Sequence, residues 1–277
     1  MNTIRLGSYN VLNLYDAIDD PGKDDEKTRP KPENEITAVA QVLRDANADV
    51  VALQEVEKAE TLETLRGGHL ADLYPHSVLI EGNDRRGSDV AILSKYPLKN
   101  VVSHREHIFK RKDNGEDMQF RRDLLRADVE LPNAPPLRVY AVHFKSKFGG
   151  EESDRVRTAE ASEVARLARE QSAGFPGQNV VVIGDANDTP DSTTGQALVT
   201  EEGGWGLKDA MATVGKSDHA SFSPRKDQAE KWGAKRIDYI LTSPNMNDRL
   251  IDAGLFEHEQ AAVGSDHYMM TADYRLK

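Results

Sequence analysis

Side chains that could move protons, hold a hard cation or grip phosphate stand at the ends of apolar runs in this 277-residue chain. Ser8-Tyr9-Asn10 closes the first run, Leu53-Gln54-Glu55 the second, and Val142-His143-Phe144 lies near the end of another. Gly184-Asp185-Ala186-Asn187 follows a valine-rich run, Arg236-Ile237-Asp238 opens the next, and Ser265-Asp266-His267 precedes the last. Carboxylate, amide and imidazole are the groups of general acid–base catalysis and of hard-cation binding. Strand ends are where α/β proteins build such sites, because the sheet fixes geometry and the loops leave access. Cysteine is absent, which removes thiol nucleophiles, disulfides and thiolate-bound zinc.

Taken singly, each residue has a bland explanation. A glutamate after a strand, such as Glu55, is usually a solvated loop residue. Asp185 and Asn187 could make turn hydrogen bonds ahead of Asp188-Thr189-Pro190, and His143 could be a satisfied core histidine. Asp266 and His267 could cap the strand that follows. Asp238, between Ile237 and Tyr239, is harder to dismiss, because a carboxylate inside a strand needs a partner. Six coincidences together are far less probable than any one.

The elements that must carry these residues are readable. Residues 4–9 form a strand, and 35–46 place Ile36, Val39, Ala40 and Leu43 at helical spacing. Segments 49–53 and 90–93 read as strands, the first a continuous apolar run buried on both faces. Segments 124–131 and 137–144 flank Pro-Asn-Ala-Pro-Pro as a hairpin, and 153–171 is a charged amphipathic helix stopped by Gly174 and Pro176. Segments 180–183, 236–241 and 268–275 complete the set. Few helices interrupt the strands and two hairpin-like pairs occur, which favours a layered α/β fold with mixed sheets over a doubly wound parallel sheet. No repeat or linker is evident, so residues 1–277 are expected to form one domain. The polar stretch 15–34 is too long for an ordinary connection and reads as a surface loop, a solvated and mobile insertion before one that borders a site.

Hydrophobic residues make up 38% and charged residues 30% of the chain, a globular balance. No run approaches the roughly 18 apolar residues of a membrane helix. The first residues lack the apolar stretch of a signal peptide, so a cytoplasmic location is expected, or a secreted one if a leader has been trimmed. The net charge of −11 argues against a general nucleic-acid coat, though it leaves room for a local grip on phosphate. Lys110, Arg111, Lys112, Arg121, Arg122, Arg126, Lys145, Lys147, Arg155 and Arg157 form a basic middle; Arg121, Arg122, Lys145 and Arg157 are candidates for that grip, and each could equally be a surface charge.

Together the segments SYNVLN (8–13), DVVALQEV (49–56), GSDVAILSKYP (87–97), VHFKS (142–146), GDAND (184–188), RIDYIL (236–241) and GSDHY (264–268) resemble, in order and over nearly the whole chain, the endonuclease/exonuclease/phosphatase superfamily of DNase I-like enzymes. The departures are Tyr9, where the family usually has tryptophan, and Ala186, where it has a larger apolar residue. The resemblance implies a four-layer α/β sandwich, two mixed sheets face to face between helices, and a divalent-metal-dependent phosphoester hydrolase.

By the same resemblance, Asp185 orients and deprotonates the attacking water and Asn187 holds that water or a phosphate oxygen. His267 donates to a non-bridging oxygen, Asp238 fixes its tautomer, and His143 is a second donor near the leaving group, with Asp89 its conjectural carboxylate partner. Asn10, Glu55 and Asp266 form the metal set. Oxygen-only ligands suit Mg²⁺ or Mn²⁺, with Ca²⁺ a further candidate as a structural or substituting ion. The expected substrate is DNA, cleaved by in-line attack of water. The alternatives are a small phosphoester (phosphoinositide, sugar phosphate or lipid head group) and, further off, an inactive scaffold. No protein partner is inferable.

Overall fold

A computed structural model describes residues 3–174, 177–225 and 233–276. Along the chain run β1 (Thr3–Leu14), α1 (Glu33–Ala46), β2 (Val50–Val56), α2 (Ala59–Leu65), β3 (His76–Leu79), β4 (Asp89–Ser94) and β5 (Leu98–Ser103). Then come the short β6 (Phe109–Lys110) and β7 (Asp117–Met118), β8 (Leu125–Val129), β9 (Leu137–His143), α3 (Gly150–Gly174), β10 (Asn179–Asp185) and α4 (Thr193–Val199). The chain closes with β11 (Lys208–Asp209), α5 (Ala210–Thr213), β12 (Asp238–Thr242), α6 (Pro244–Asn247), β13 (Leu250–Phe256), α7 (Ala261–Gly264) and β14 (Met269–Arg275).

The strands form two six-stranded sheets, ordered β13-β14-β1-β2-β4-β3 and β11-β12-β10-β9-β8-β5. Both are mixed: β1 with β2 and β9 with β10 run parallel, the other neighbours antiparallel. Alternating residues explain the layering. In β2, Val50 and Ala52 face the other sheet while Val51 and Leu53 face α1; in β10, Val181 and Ile183 point inward while Val180 and Val182 pack against α3 and α4. Strands covered on both faces need apolar residues at every position, and β2 and β10 supply them. Ile4, Leu6, Ile92, Val139, Ala141 and Ile240 join the core between the sheets. The result is the expected four-layer sandwich.

The hairpin reading holds: β8 and β9 pair antiparallel with Leu125 opposite Ala141. The α1 stripe of Ile36, Val39 and Leu43 is buried, and Asn47 ends the helix in the left-handed conformation with its N–H on the Leu43 carbonyl. Several boundaries differ. α3 runs over Gly150–Gly174, three residues longer at each end; β1 runs on to Leu14 instead of stopping at Tyr9; β2 runs on to Val56, so that Glu55 lies within it; and β12 begins at Asp238. Pro176, expected to stop α3, lies outside the described residues, as do residues 1–2 and 226–232. Among the described residues no helix is long and apolar enough to cross a membrane.

Candidate active site

The register of the second sheet brings three of the singled-out side chains side by side. Asp185, the last residue of β10, lies opposite His143 on β9 and Asp238 on β12. Directly opposed residues have Cβ atoms about 5 Å apart, so the three groups meet at one end of the sheet. All three are at least 97% buried. Gly184 makes the approach possible: its φ is +150°, and a Cβ there would fall 1.9 Å from the Val142 carbonyl oxygen.

The first sheet delivers the rest through a pair of irregularities. The β1–β2 register slips between Asn10 and Leu14, and the β2–β4 register slips between Gln54 and Val56. Leu12, Asn13 and Glu55 there have φ of 49°, 52° and 64°. Non-glycine residues in that region cost about 1–3 kcal/mol each and persist where the surroundings over-determine them. The bulge at Glu55 turns its carboxylate to the site, where Oε1 accepts from Asn10 Nδ2 (3.1 Å) and Oε2 from the Asn13 N–H (3.0 Å).

Asp185 Oδ2 is the hub. Asn10 Nδ2 donates to it at 3.1 Å, His143 Nε2 lies 3.7 Å away and His267 Nε2 3.9 Å away. Its other oxygen accepts the Asn187 N–H at 2.7 Å, and Asn187, itself left-handed with φ 54°, donates Nδ2 to the Phe144 carbonyl. His267 Nδ1 lies 2.8 Å from Asp238 Oδ2. Asp266 Oδ1 is 4.0 Å from His267 Nε2. Asp185, Asp238 and His267 each offer a ligand atom, all within 4.8 Å of one another.

Burial and charge set the proton positions. Burial and the neighbouring charge of Asp238 push Asp185 up to about 7. His267 is fully buried, which alone would lower it. The charge and hydrogen bond of Asp238, with help from Asp185 and Asp266, overcome that and raise it to about 10. His143 goes the other way: burial, then the charges of Arg122, His267 and Arg86, hold it well below the ordinary histidine range. One imidazole is therefore a cation at neutral pH and the other is neutral. Asp266 is raised by burial and by the charge of Glu55, against the pull of His267 and Arg225.

A model of the "Endonuclease/Exonuclease/phosphatase family" matches residues 7–267 of the sequence. The chain belongs to that family. It is a hydrolase acting on phosphate ester bonds. No curated protein is significantly similar in sequence. Among solved structures, an endonuclease/exonuclease/phosphatase from Bacteroides vulgatus matches with a TM-score of 0.69 and 18% identity, covering 100% of both chains. Truncated TDP2 from Caenorhabditis elegans matches at 0.65 and 18%, covering 98% of this chain and 97% of that one. A variant of beta toxin from Staphylococcus aureus, solved with bound magnesium ions, matches at 0.63 and 17%, covering 99% and 100%.

In this endonuclease/exonuclease/phosphatase family member, the residues singled out in the sequence converge: Asn10, Glu55, His143, Asp185, Asn187, Asp238, Asp266 and His267 all reach one end of the sandwich. Two details differ from expectation. Asn10 Oδ1 is taken by the Leu12 N–H at 3.0 Å, so Asn10 turns its amide N–H, not an oxygen, to Glu55 and Asp185. It orients the carboxylates, and would have to rotate its amide to ligate a metal. Asp89 does not pair with His143. It accepts the Gly82 N–H at 2.8 Å, while its other oxygen and His143 Nδ1 have no hydrogen-bond partner among the described residues.

The basic candidates divide. Arg157 is wholly buried on Asp188 and Asp154, and Arg122 props up the His143 and Phe144 carbonyls; both are internal struts. Lys145 Nζ serves the Phe148 carbonyl, and Arg121 stays exposed. Two serines were not singled out. Ser265 Oγ donates to the Asn10 carbonyl and accepts from the His267 N–H, and Ser221 Oγ accepts from Ile237 and Asp238. Ser265 carries a signal in its place before Asp266-His267; Ser221 carries none.

Proposed function

We propose that this protein is a divalent-metal-dependent phosphodiesterase that cleaves DNA by in-line attack of water. The observation that carries the reading is the convergence on Asp185 Oδ2 of Asn10, His143 and His267, with Asp238 behind His267. The donor set fits a hard cation: Glu55 and Asp266 are carboxylates of one site, and burial together with the charge of Glu55 raises Asp266. Oxygen donors select Mg²⁺ or Mn²⁺ over zinc. Glu55 and Asp266 would hold the cation, which would supply charge neutralisation at a phosphoryl oxygen.

The chain's own groups do the rest. Asp185, held near 7, is matched to take a proton from water at neutral pH. Asn187 and Asn10 fix the two oxygens of Asp185 and so aim its lone pairs. His267, kept cationic by Asp238, donates Nε2–H to a non-bridging oxygen where negative charge builds. Neutral His143 donates towards the leaving oxygen from the opposite side of Asp185.

A diester carries one negative charge and a monoester two. Beside His267 the site has positive charge to spare, because Arg29, Lys31 and Arg225 near Asp266 share the single carboxylate Glu35. That excess suits a phosphate anion of either kind. A small phosphoester is the second reading, favoured by the net charge of −11, which repels long polyanions. Plasmid nicking run beside hydrolysis of bis(p-nitrophenyl) phosphate and p-nitrophenyl phosphate, with Mg²⁺, Mn²⁺ or EDTA, separates them. Nicking and diester turnover that EDTA abolishes are expected; intact plasmid with rapid monoester turnover contradicts the reading.

A further inference from the structure

We infer that the protein carries a second, structural cation site, a Ca²⁺ site, where the 15–34 loop meets the end of β2. Its core is Asp25 and Glu57. Both are buried, 4% and 3% exposed, and among the described residues neither has an ion-pair partner within 4.0 Å. Asp20, Asp25 and Glu57 each place a carboxylate oxygen within 4.8 Å of the others, and a second group, Asp19, Asp25 and Glu26, shares Asp25. Two oxygens on opposite sides of a Ca²⁺ ion, each about 2.4 Å from it, lie about 4.8 Å apart.

The hydrogen bonds leave acceptors over. Asp25 Oδ2 takes the Asp20 N–H at 2.9 Å, but Asp25 Oδ1 is buried with no hydrogen-bond partner among the described residues. Glu57 Oε2 takes the Asp16 N–H at 2.9 Å. Among the described residues, the cation paired with this group is Lys58, whose Nζ sits 2.7 Å from Asp20 and 3.2 Å from Asp16, while Lys27 pairs with Glu26 at 3.9 Å. Asp16, Asp20, Asp25 and Glu57 thus bring four negative charges against one positive. Uncompensated buried carboxylates are costly enough that proteins pair them or give them a metal. An all-oxygen, carboxylate-rich, irregular cage gathered mainly from one loop suits Ca²⁺, which accepts six to eight oxygens flexibly, better than Mg²⁺, which demands a regular octahedron. The site is separate from the catalytic carboxylates but coupled to them through the chain: Glu57 is two residues past Glu55, and its backbone N–H holds the Leu14 carbonyl that ends the β1 bulge.

The test uses full-length protein stripped with EDTA and carrying Glu55→Gln, so that the catalytic cation is disfavoured and failure of either assignment is distinguishable. CaCl₂ is titrated calorimetrically. One saturable ion is expected, weakened at least tenfold by adding Asp25→Asn or, separately, Glu57→Gln, with folding checked by circular dichroism. Hydrogen exchange on the Glu55→Gln protein with and without Ca²⁺ needs no further variant, and protection should appear in residues 16–28. The assignment is overturned if no Ca²⁺ binds, if both added substitutions leave the titration unchanged, or if protection is confined to the catalytic segments. Loss of Mg²⁺-dependent turnover in Glu55→Gln with Ca²⁺ binding retained would uphold both sites as distinct.

Discussion

At the residue scale, the proposed chemistry rests on two histidines beside one carboxylate whose pKa values are pushed in opposite directions. Asp238 accepts from His267 Nδ1 and raises it, whereas His143 Nδ1 has no hydrogen-bond partner among the described residues. Asp238→Asn removes the charge that holds His267 up, so its pKa should fall. The alkaline limb of kcat/KM should then move to lower pH, with kcat reduced and KM little changed. An unaltered pH profile would show Asp238 to be only a packing group. Asp185 gives a second pH effect, in stability. Its pKa is near 3.8 when the chain is unfolded and about 7 when folded, so between those values the folded state binds more protons. Stability of the metal-free protein should therefore fall as pH rises through that window. Asp185→Asn should flatten the fall, and a divalent cation at pH 8 should reverse it; thermal unfolding with and without EDTA measures both. These residue types were legible in the sequence because each stands next to an apolar run that names a strand. Their proton states were not, since they depend on neighbours such as Arg122 and Asp238 that only the fold brings close.

At the scale of elements, site geometry comes from departures from regular structure. The paired bulges at Leu12–Asn13 and Glu55 aim one carboxylate, and Gly184 lets β10 press against β9 where His143 and Asp185 meet. Gly184→Ala must push a methyl group into the Val142 carbonyl and should cost about 3 kcal/mol, read as a lowered midpoint of denaturant unfolding with activity lost in parallel. Ala at Gly68, where nothing lies within 4 Å, is the control and should be near neutral. Strands and helices were readable because continuous valine-rich runs and the Ile36–Val39–Leu43 spacing leave few alternatives. The bulges were not, because Asn10-Val11-Leu12-Asn13 and Gln54-Glu55-Val56 contain no glycine to announce a left-handed residue. Asp89 shows the same limit: its closeness to the motif suggested a tie to His143, while a short loop claims it through Gly82.

At the scale of the whole molecule, two sheets packed over one continuous apolar layer, Ile4 to Tyr274, join the halves of the site. Glu55 and Asn10 come from one sheet, His143, Asp185 and Asp238 from the other. We expect a single unfolding transition by calorimetry, with the calorimetric and van't Hoff enthalpies equal; two resolved transitions would mean that the halves fold independently. Order of motifs along the chain made the sandwich legible, whereas the acidic loop over residues 15–34 fell outside any motif and its enclosure of Asp25 and Glu57 had no sequence signature. Turnover of bis(p-nitrophenyl) phosphate by the wild type, Glu55→Gln and Asp185→Asn, each titrated with Mg²⁺, examines both sheets' contributions at once. The convergent site predicts turnover that needs the ion and falls at least about 100-fold in either variant. Turnover that survives EDTA, or persists in Asp185→Asn, would contradict it.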